Sequence, residues 1–210
     1  KWKKISKISG VDSPEYQTLW KEVADLSPDN LSDTSIENFE IYEDASSDVI
    51  AYVSDDDGNG KWKMSINLPT HKLSDTKEQK ITLIHELSHI ITLNQDQFMK
   101  ASGKCPNYET AEWCTRSSAY LNTFVKKFWW TAKTASYDPN TFVTEYASSN
   151  PEEDIAESFA FFVVGSDFSE TSIKDQKIKF FSAYPDLMKI REWMRNVLAS
   201  EIIRARKIQK

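Results

Sequence analysis

The stretch Ile81-Thr82-Leu83-Ile84-His85-Glu86-Leu87-Ser88-His89-Ile90-Ile91 decides the reading of this chain. Its apolar residues fall on almost every side of a helix, so the segment predicts a helix buried in a core. His85 and His89 stand four apart, a little over one turn, and project from the same face. Two imidazoles and the Glu86 carboxylate on a buried helix need partners. One divalent metal ion satisfies all three: each His offers one ring nitrogen, and Glu86 can reach a metal-bound water rather than the metal. Zinc lowers the pKa of such a water toward neutrality, and a carboxylate beside it can take the proton and pass it to a leaving amine. His-Glu-x-x-His on a helix therefore predicts a single zinc ion and hydrolysis of peptide bonds, with Glu86 as general base.

Two His ligands leave zinc one protein ligand short. The remaining histidine, His71, lies upstream and reads as a surface residue in a loop. Working outward, the best source of a third ligand is Asn150-Pro151-Glu152-Glu153-Asp154-Ile155-Ala156-Glu157-Ser158-Phe159. Asn as cap, Pro at the first helical position and acids in the first turn announce a helix running to about Val164 and stopping at Gly165. Glu153 and Glu157 share one face, while Ile155, Phe159 and Phe162 lie on another that binds the helix to the core. The acids of the first turn favour the helix N-terminus, which accounts for Glu152 and Asp154 but not for Glu157, one turn further in among apolar residues. The pair implies a division of labour. One Glu binds zinc and the other orients a ligand His; spacing does not decide which.

These residues resemble the gluzincins, zinc peptidases with His-Glu-x-x-His and a downstream Glu ligand, and within them the group of lethal-factor catalytic domains and Pro-Pro endopeptidases. That group has a Tyr, a Glu seven residues later and a second Glu four after that, in a segment ending Ala-Glu-x-Phe. Tyr146, Glu153, Glu157 and Ala156-Glu157-Ser158-Phe159 stand at those spacings, and Asn150 matches a polar residue between them. The resemblance implies Glu153 as third zinc ligand, Glu157 as partner of a ligand His, and Tyr146 as hydrogen-bond donor to the oxyanion or leaving group. It covers the His85 helix and residues 146–164. It also implies a zincin-like fold, with the active-site cleft between a sheet lobe and a helical lobe, and makes Met64 to Leu68 an edge along which an extended substrate can pair.

The rest of the chain fits an α+β protein in one domain over residues 1–210, with a small antiparallel sheet at 36–69 and a mainly helical region at 74–208. Tyr16, Leu19, Trp20, Val23 and Leu26 recur at helical spacing over 14–26. Phe39–Tyr42, Val49–Val53 and Lys61–Ile66 read as strands, the last two joined as a hairpin through Asp55 to Gly60. Ser74 or Asp75 caps the His85 helix, residues 111–130 read as an aromatic-rich helix, 137–149 as irregular, and Pro185 opens a long final helix. Trp113, Phe128, Trp129, Trp130, Phe159, Phe161 and Phe162 recur at helical intervals and read as core rather than as a carbohydrate platform.

Composition sets the limits. With 40% hydrophobic residues, 5 Gly and 7 Pro in 210 positions, the chain is of globular type. A net charge of −6 gives no basic face for nucleic acid, and no apolar run of 18 or more residues exists to span a membrane. Cys105 and Cys114, nine positions apart, predict a disulfide and an oxidising compartment. Together with a start at Lys1, this gives the expectation of a secreted or cell-surface protein whose signal or anchor has been removed. The expected partner is a peptide or protein substrate, and the expected state a monomer. The competing reading is a catalytically silent zincin-like module that binds a peptide, glycan or host protein.

Overall fold

Ser-Pro and Asn-Pro open helices where the sequence places them. In the computed structural model, which describes residues 10–28, 35–55, 60–100, 103–110, 113–129, 135–166 and 171–208 (the side chains of 201–208 excepted), α1 spans Pro14–Leu26. Its first turn is closed by Ser13, whose hydroxyl accepts from Tyr16 N at 3.2 Å. The chain divides into two compact units, residues 1–83 with 186–210, and residues 84–185.

The first unit holds a three-stranded sheet of β1 (Ile36–Tyr42), β2 (Ala51–Ser54) and β3 (Trp62–Asn67) in the order β1-β3-β2. The expected hairpin is present, with β2 antiparallel to β3 and Val53 opposite Met64. The sheet as a whole is not antiparallel, because β1 runs parallel to β3, Phe39 opposite Met64. Alternation in a sequence fixes which face a residue takes, not strand direction. A short turn dictates direction only for the two strands it joins, and β1 is not one of them. The proposed substrate-pairing edge at Met64 to Leu68 is also corrected: β3 is the central strand with both sides paired, and Leu68 already belongs to α2 (Leu68–Leu73). Central position explains why Met64 and Ile66 are wholly buried. Asn67, buried at the end of β3, donates to Asp44 O at 2.8 Å and Val49 O at 3.1 Å, tying the connection between β1 and β2 to the sheet.

His71 is neither in a loop nor on the surface. It lies on α2 and is 5% exposed. The neighbouring Pro69, at a helix start, and the cap at Ser74 turn this short segment into a helix that the sequence does not announce by periodicity. The final helix, α7 (Pro185–Ile208), opens at Pro185 as expected, and Trp193 Nε1 on it donates to Asp25 O at 3.0 Å.

The second unit begins inside α3 (Thr76–Thr92), the helix with the His-Glu-x-x-His segment. Asp75 caps α3 by accepting from Lys77 N and Glu78 N, both at 2.9 Å. A two-stranded ribbon of β4 (Phe98–Met99) and β5 (Cys114–Thr115) follows, and the Cys105–Cys114 disulfide closes a loop against it. This changes the helix expected over 111–130. The helix, α4, spans only Tyr120–Phe128, because residues 114–115 are drawn into the ribbon and the disulfide. Trp113 is correspondingly 37% exposed rather than core, and Trp130 lies outside the described residues. α5 (Pro151–Val164) and α6 (Ile173–Phe180) complete the unit.

The core of this unit is aromatic. Phe124 of α4, Phe159 and Phe162 of α5, and Phe181 are each at most 1% exposed. Phe159 meets Phe181 edge-on at 5.1 Å between centroids, and Phe124 meets Phe180 of α6 at 5.3 Å. Such pairs contribute about 1 kcal/mol each beyond area burial. The expectation that Ile155, Phe159 and Phe162 anchor the second helix holds, since these residues are 0, 0 and 1% exposed.

Candidate metal centre

α3 and α5 carry the groups that converge. His85, Glu86 and His89 of α3 are 5, 6 and 9% exposed. On α5, the Asn150 side chain accepts from Glu153 N at 2.9 Å, which sets the helix start and with it the direction of the Glu153 side chain. The helices are tied at the site by Ser88, whose hydroxyl lies 2.6 Å from His85 O and 3.2 Å from Ala156 O.

Three atoms meet at nearly equal separations. His85 Nε2 lies 3.1 Å from His89 Nε2 and 3.1 Å from Glu153 Oε2, and His89 Nε2 lies 3.2 Å from that same oxygen. Among the described residues, these three side chains form a group able to hold a metal ion. The opposite nitrogen of His85, Nδ1, lies 2.6 Å from Glu157 Oε1. Thr144 Oγ1 donates to the other Glu157 oxygen at 2.7 Å and accepts from Ala147 N at 3.1 Å. Thr144 thereby links the Glu157 carboxylate to the short 3-10 turn Tyr146–Ser148.

The donor set fits a divalent cation. With Glu157 accepting from Nδ1–H, a neutral His85 presents a lone pair at Nε2. That lone pair faces the Glu153 carboxylate, so two acceptors confront each other unless a proton or a cation lies between them. Ligand atoms about 2.1 Å from a tetrahedral ion stand roughly 3.4 Å apart, close to the spacing seen here. Two imidazoles and a carboxylate also match zinc by ligand type.

The protonation chemistry of the chain by itself tells the same story. Burial opposes a charge on His85, but hydrogen bonds to Glu153 and Glu157 outweigh it and raise its pKa to about 10. Burial would raise Glu153, yet hydrogen bonds to His85 and His89 hold it far below the usual carboxylate range. Glu157 is likewise lowered, against its burial, chiefly by His85. The carboxylates are ionised and cation-seeking.

Glu86 Oε1 lies 4.0 Å from His85 Nε2, beside the three-atom cluster but not part of it. Tyr146 has its ring centroid 5.8 Å from that of His85. Although the residue as a whole is 58% exposed, burial, the charge of Glu153 and a hydrogen bond to that carboxylate raise its pKa and keep the phenol protonated. All six residues singled out from the sequence lie within the second unit, and Glu153 rather than Glu157 faces both histidines.

Sequence reasoning missed Thr144 and Ser88. Thr144 sits two positions before Tyr146 and carries no motif; its hydroxyl matters only because the turn folds it onto Glu157. Ser88 is a variable position of the motif, and its full burial on an apolar helix was the available signal. It also missed two polar contacts around the first turn of α5. Tyr108, inside the disulfide loop, has its hydroxyl 3.1 Å from each oxygen of Glu152. Burial, then the charge of Glu152, raises the Tyr108 pKa, and burial raises that of Glu152. Asp154 pairs with Lys177 at 2.6 Å, both fully buried. Burial pushes Asp154 up to about 6 and lowers Lys177, each against the pull of the other.

No protein-family profile and no curated protein matches the chain. Among solved structures it is similar to a crystal structure from Bacteroides caccae ATCC 43185, described as a "putative zinc-binding metallo-peptidase". The identity is 21% and the TM-score 0.43, over 77% of this chain and 63% of that one. The chain thus spans somewhat less than two thirds of the length of that neighbour.

Proposed function

We propose that the protein is a zinc-dependent metalloendopeptidase of the gluzincin type, acting on peptide or protein substrates as one zincin-like domain. The observation that carries this is the meeting of His85 Nε2, His89 Nε2 and Glu153 Oε2 at 3.1–3.2 Å, with the Glu86 carboxylate beside them. His85, His89 and Glu153 would hold a single zinc ion. Zinc supplies Lewis acidity there: it lowers the pKa of a bound water toward neutrality and polarises a carbonyl. Glu86 takes the proton of the attacking water on its carboxylate and delivers it to the leaving amine, a role that contributes about 10²–10⁴ in rate. Tyr146, kept protonated by its surroundings, donates a hydrogen bond to the oxyanion or leaving group. Glu157 holds the His85 ring so that Nε2 is the nitrogen offered.

The Cys105–Cys114 disulfide supports a secreted or cell-surface setting. Among the described residues no helix is long and apolar enough to cross a membrane. The test is digestion of a broad peptide library by the zinc-loaded protein, beside Glu86→Gln. Cleavage by the wild type, and its loss in a variant that still binds one zinc, is the expected result. A fully zinc-loaded wild type that binds peptides and leaves them intact would overturn the peptidase reading in favour of a silent binding module.

A further inference from the structure

Lys177 is a lysine with no exposed surface, on a helix that contributes nothing to the zinc-ligand set. Its ammonium stands 2.6 Å from Asp154 Oδ2 and 3.7 Å from the centroid of the Phe142 ring. Asp154 also takes the indole N–H of Trp129 at 2.7 Å, and Ser158 Oγ lies 3.4 Å from its other oxygen. Trp129 is the C-cap of α4, Asp154 lies in the first turn of α5, Lys177 belongs to α6, and Phe142 leads into the turn that bears Tyr146. One buried cation therefore joins three helices and the segment before Tyr146.

Stability is a poor reason for such a cluster. Desolvating two charges often costs more than their attraction returns, and an apolar pair of equal volume packs as well or better. What a buried, hydrogen-bonded ion pair supplies is register: it admits one arrangement of the elements that carry it. Here the elements matter. Asp154 follows Glu153 directly, and Phe142 precedes Thr144 by two residues and Tyr146 by four. Lys177 meets both, through charge on one side and an aromatic face on the other.

We propose that Lys177 is a positioning residue that, through Asp154 and Phe142, fixes Glu153 relative to the segment bearing Thr144 and Tyr146. The inference rests on the zinc reading given above. It acts at a distance from the reacting atoms, so its signature is in ligand geometry and turnover rather than in substrate binding.

The experiment replaces the pair together, Asp154→Asn with Lys177→Met, which removes both charges and nearly keeps their volumes. Zinc affinity is measured by chelator competition, and ligand geometry by the visible spectrum of the cobalt-substituted protein. Zinc binding should weaken about tenfold or more, as for other groups that orient metal ligands. The cobalt bands should shift, and kcat should fall while KM changes less than about twofold. A folded double variant with wild-type zinc affinity and cobalt spectrum overturns the proposal. If the double variant does not fold, Phe142→Leu, which alters no charge, decides: a shifted cobalt spectrum supports the proposal and an unshifted one overturns it. A wild type that binds no zinc removes the zinc reading itself and this inference with it, an outcome distinct from zinc-bound wild type beside an unaltered variant.

Discussion

The Glu157 carboxylate meets Nδ1 of His85 at 2.6 Å, and this contact decides which edge of the imidazole faces Glu153. Glu157 is therefore expected to act on zinc through His85 and not as a ligand. Glu157→Gln retains an acceptor in the same place but removes the charge, and should weaken zinc binding about 10- to 100-fold. Glu153→Ala removes a proposed direct ligand and should weaken it further. Chelator competition on the two variants checks the order. A larger loss from Glu157→Gln than from Glu153→Ala would reverse the assigned roles.

How much of this was legible beforehand depends on the range of the interaction involved. The start of α5 could be read because Asn150-Pro151 is a local signal whose hydrogen bond closes within three residues. The direction of β1 could not, because Ile36–Tyr42 pairs with a strand some 25 residues away and its own pattern is the same for either direction. The candidate metal site divides in the same manner. His85 and His89 are an intrahelical pair visible as spacing, and Glu153 and Glu157 share a helix face, so spacing left the two Glu equivalent. The difference lies in where α5 packs on α3, a tertiary fact. Nothing in the local sequence marks Lys177, because the cover of its ammonium by Phe142 and Asp154 is a tertiary fact.

The disulfide should matter for stability and for the order of the loop it closes. Loop-closure entropy for the nine-residue separation of Cys105 and Cys114 corresponds to about 2.5 kcal/mol. Cys105→Ser with Cys114→Ser should lower the unfolding free energy taken from the urea transition by about that amount. Because Tyr108 lies in this loop and meets both oxygens of Glu152, the variant should also lose hydrogen-exchange protection around residues 105–115. Unchanged urea stability would show that the loop is held by its other hydrogen bonds, such as Thr115 N to Tyr108 O at 2.9 Å.

His71 gives a pH dependence in the first unit. Burial lowers its pKa from the ordinary 6.5, Glu22 opposes this, and Lys80 adds to it. Well above pH 6.5 the imidazole is neutral in folded and unfolded chains alike, so it contributes no slope there. As pH falls below 6.5, the unfolded chain takes up a proton that the folded chain refuses, and stability drops until the lowered folded pKa is passed. Urea-derived stability should therefore decline between pH 7.5 and 5.5 more steeply in the wild type than in His71→Leu. Equal slopes in the two proteins would remove His71 as the cause.

Tyr146 offers the cleanest separation of chemistry from structure. The residue is 58% exposed, so Tyr146→Phe removes one hydroxyl with little packing at stake. Burial and the Glu153 charge keep the phenol protonated in the chain without substrate, and in the proposed reaction it donates to the oxyanion or leaving group. Loss of one such donor costs about 10²–10³ in kcat. In the proposed site zinc is held by His85, His89 and Glu153 and not by Tyr146, so its affinity should stay within about threefold, and KM should move little because the interaction is made in the transition state. Steady-state kinetics with chelator competition on the same preparation checks all three. If Tyr146→Phe lost zinc in proportion to its activity, the phenol would be a support for Glu153 and not a donor to the reacting atoms.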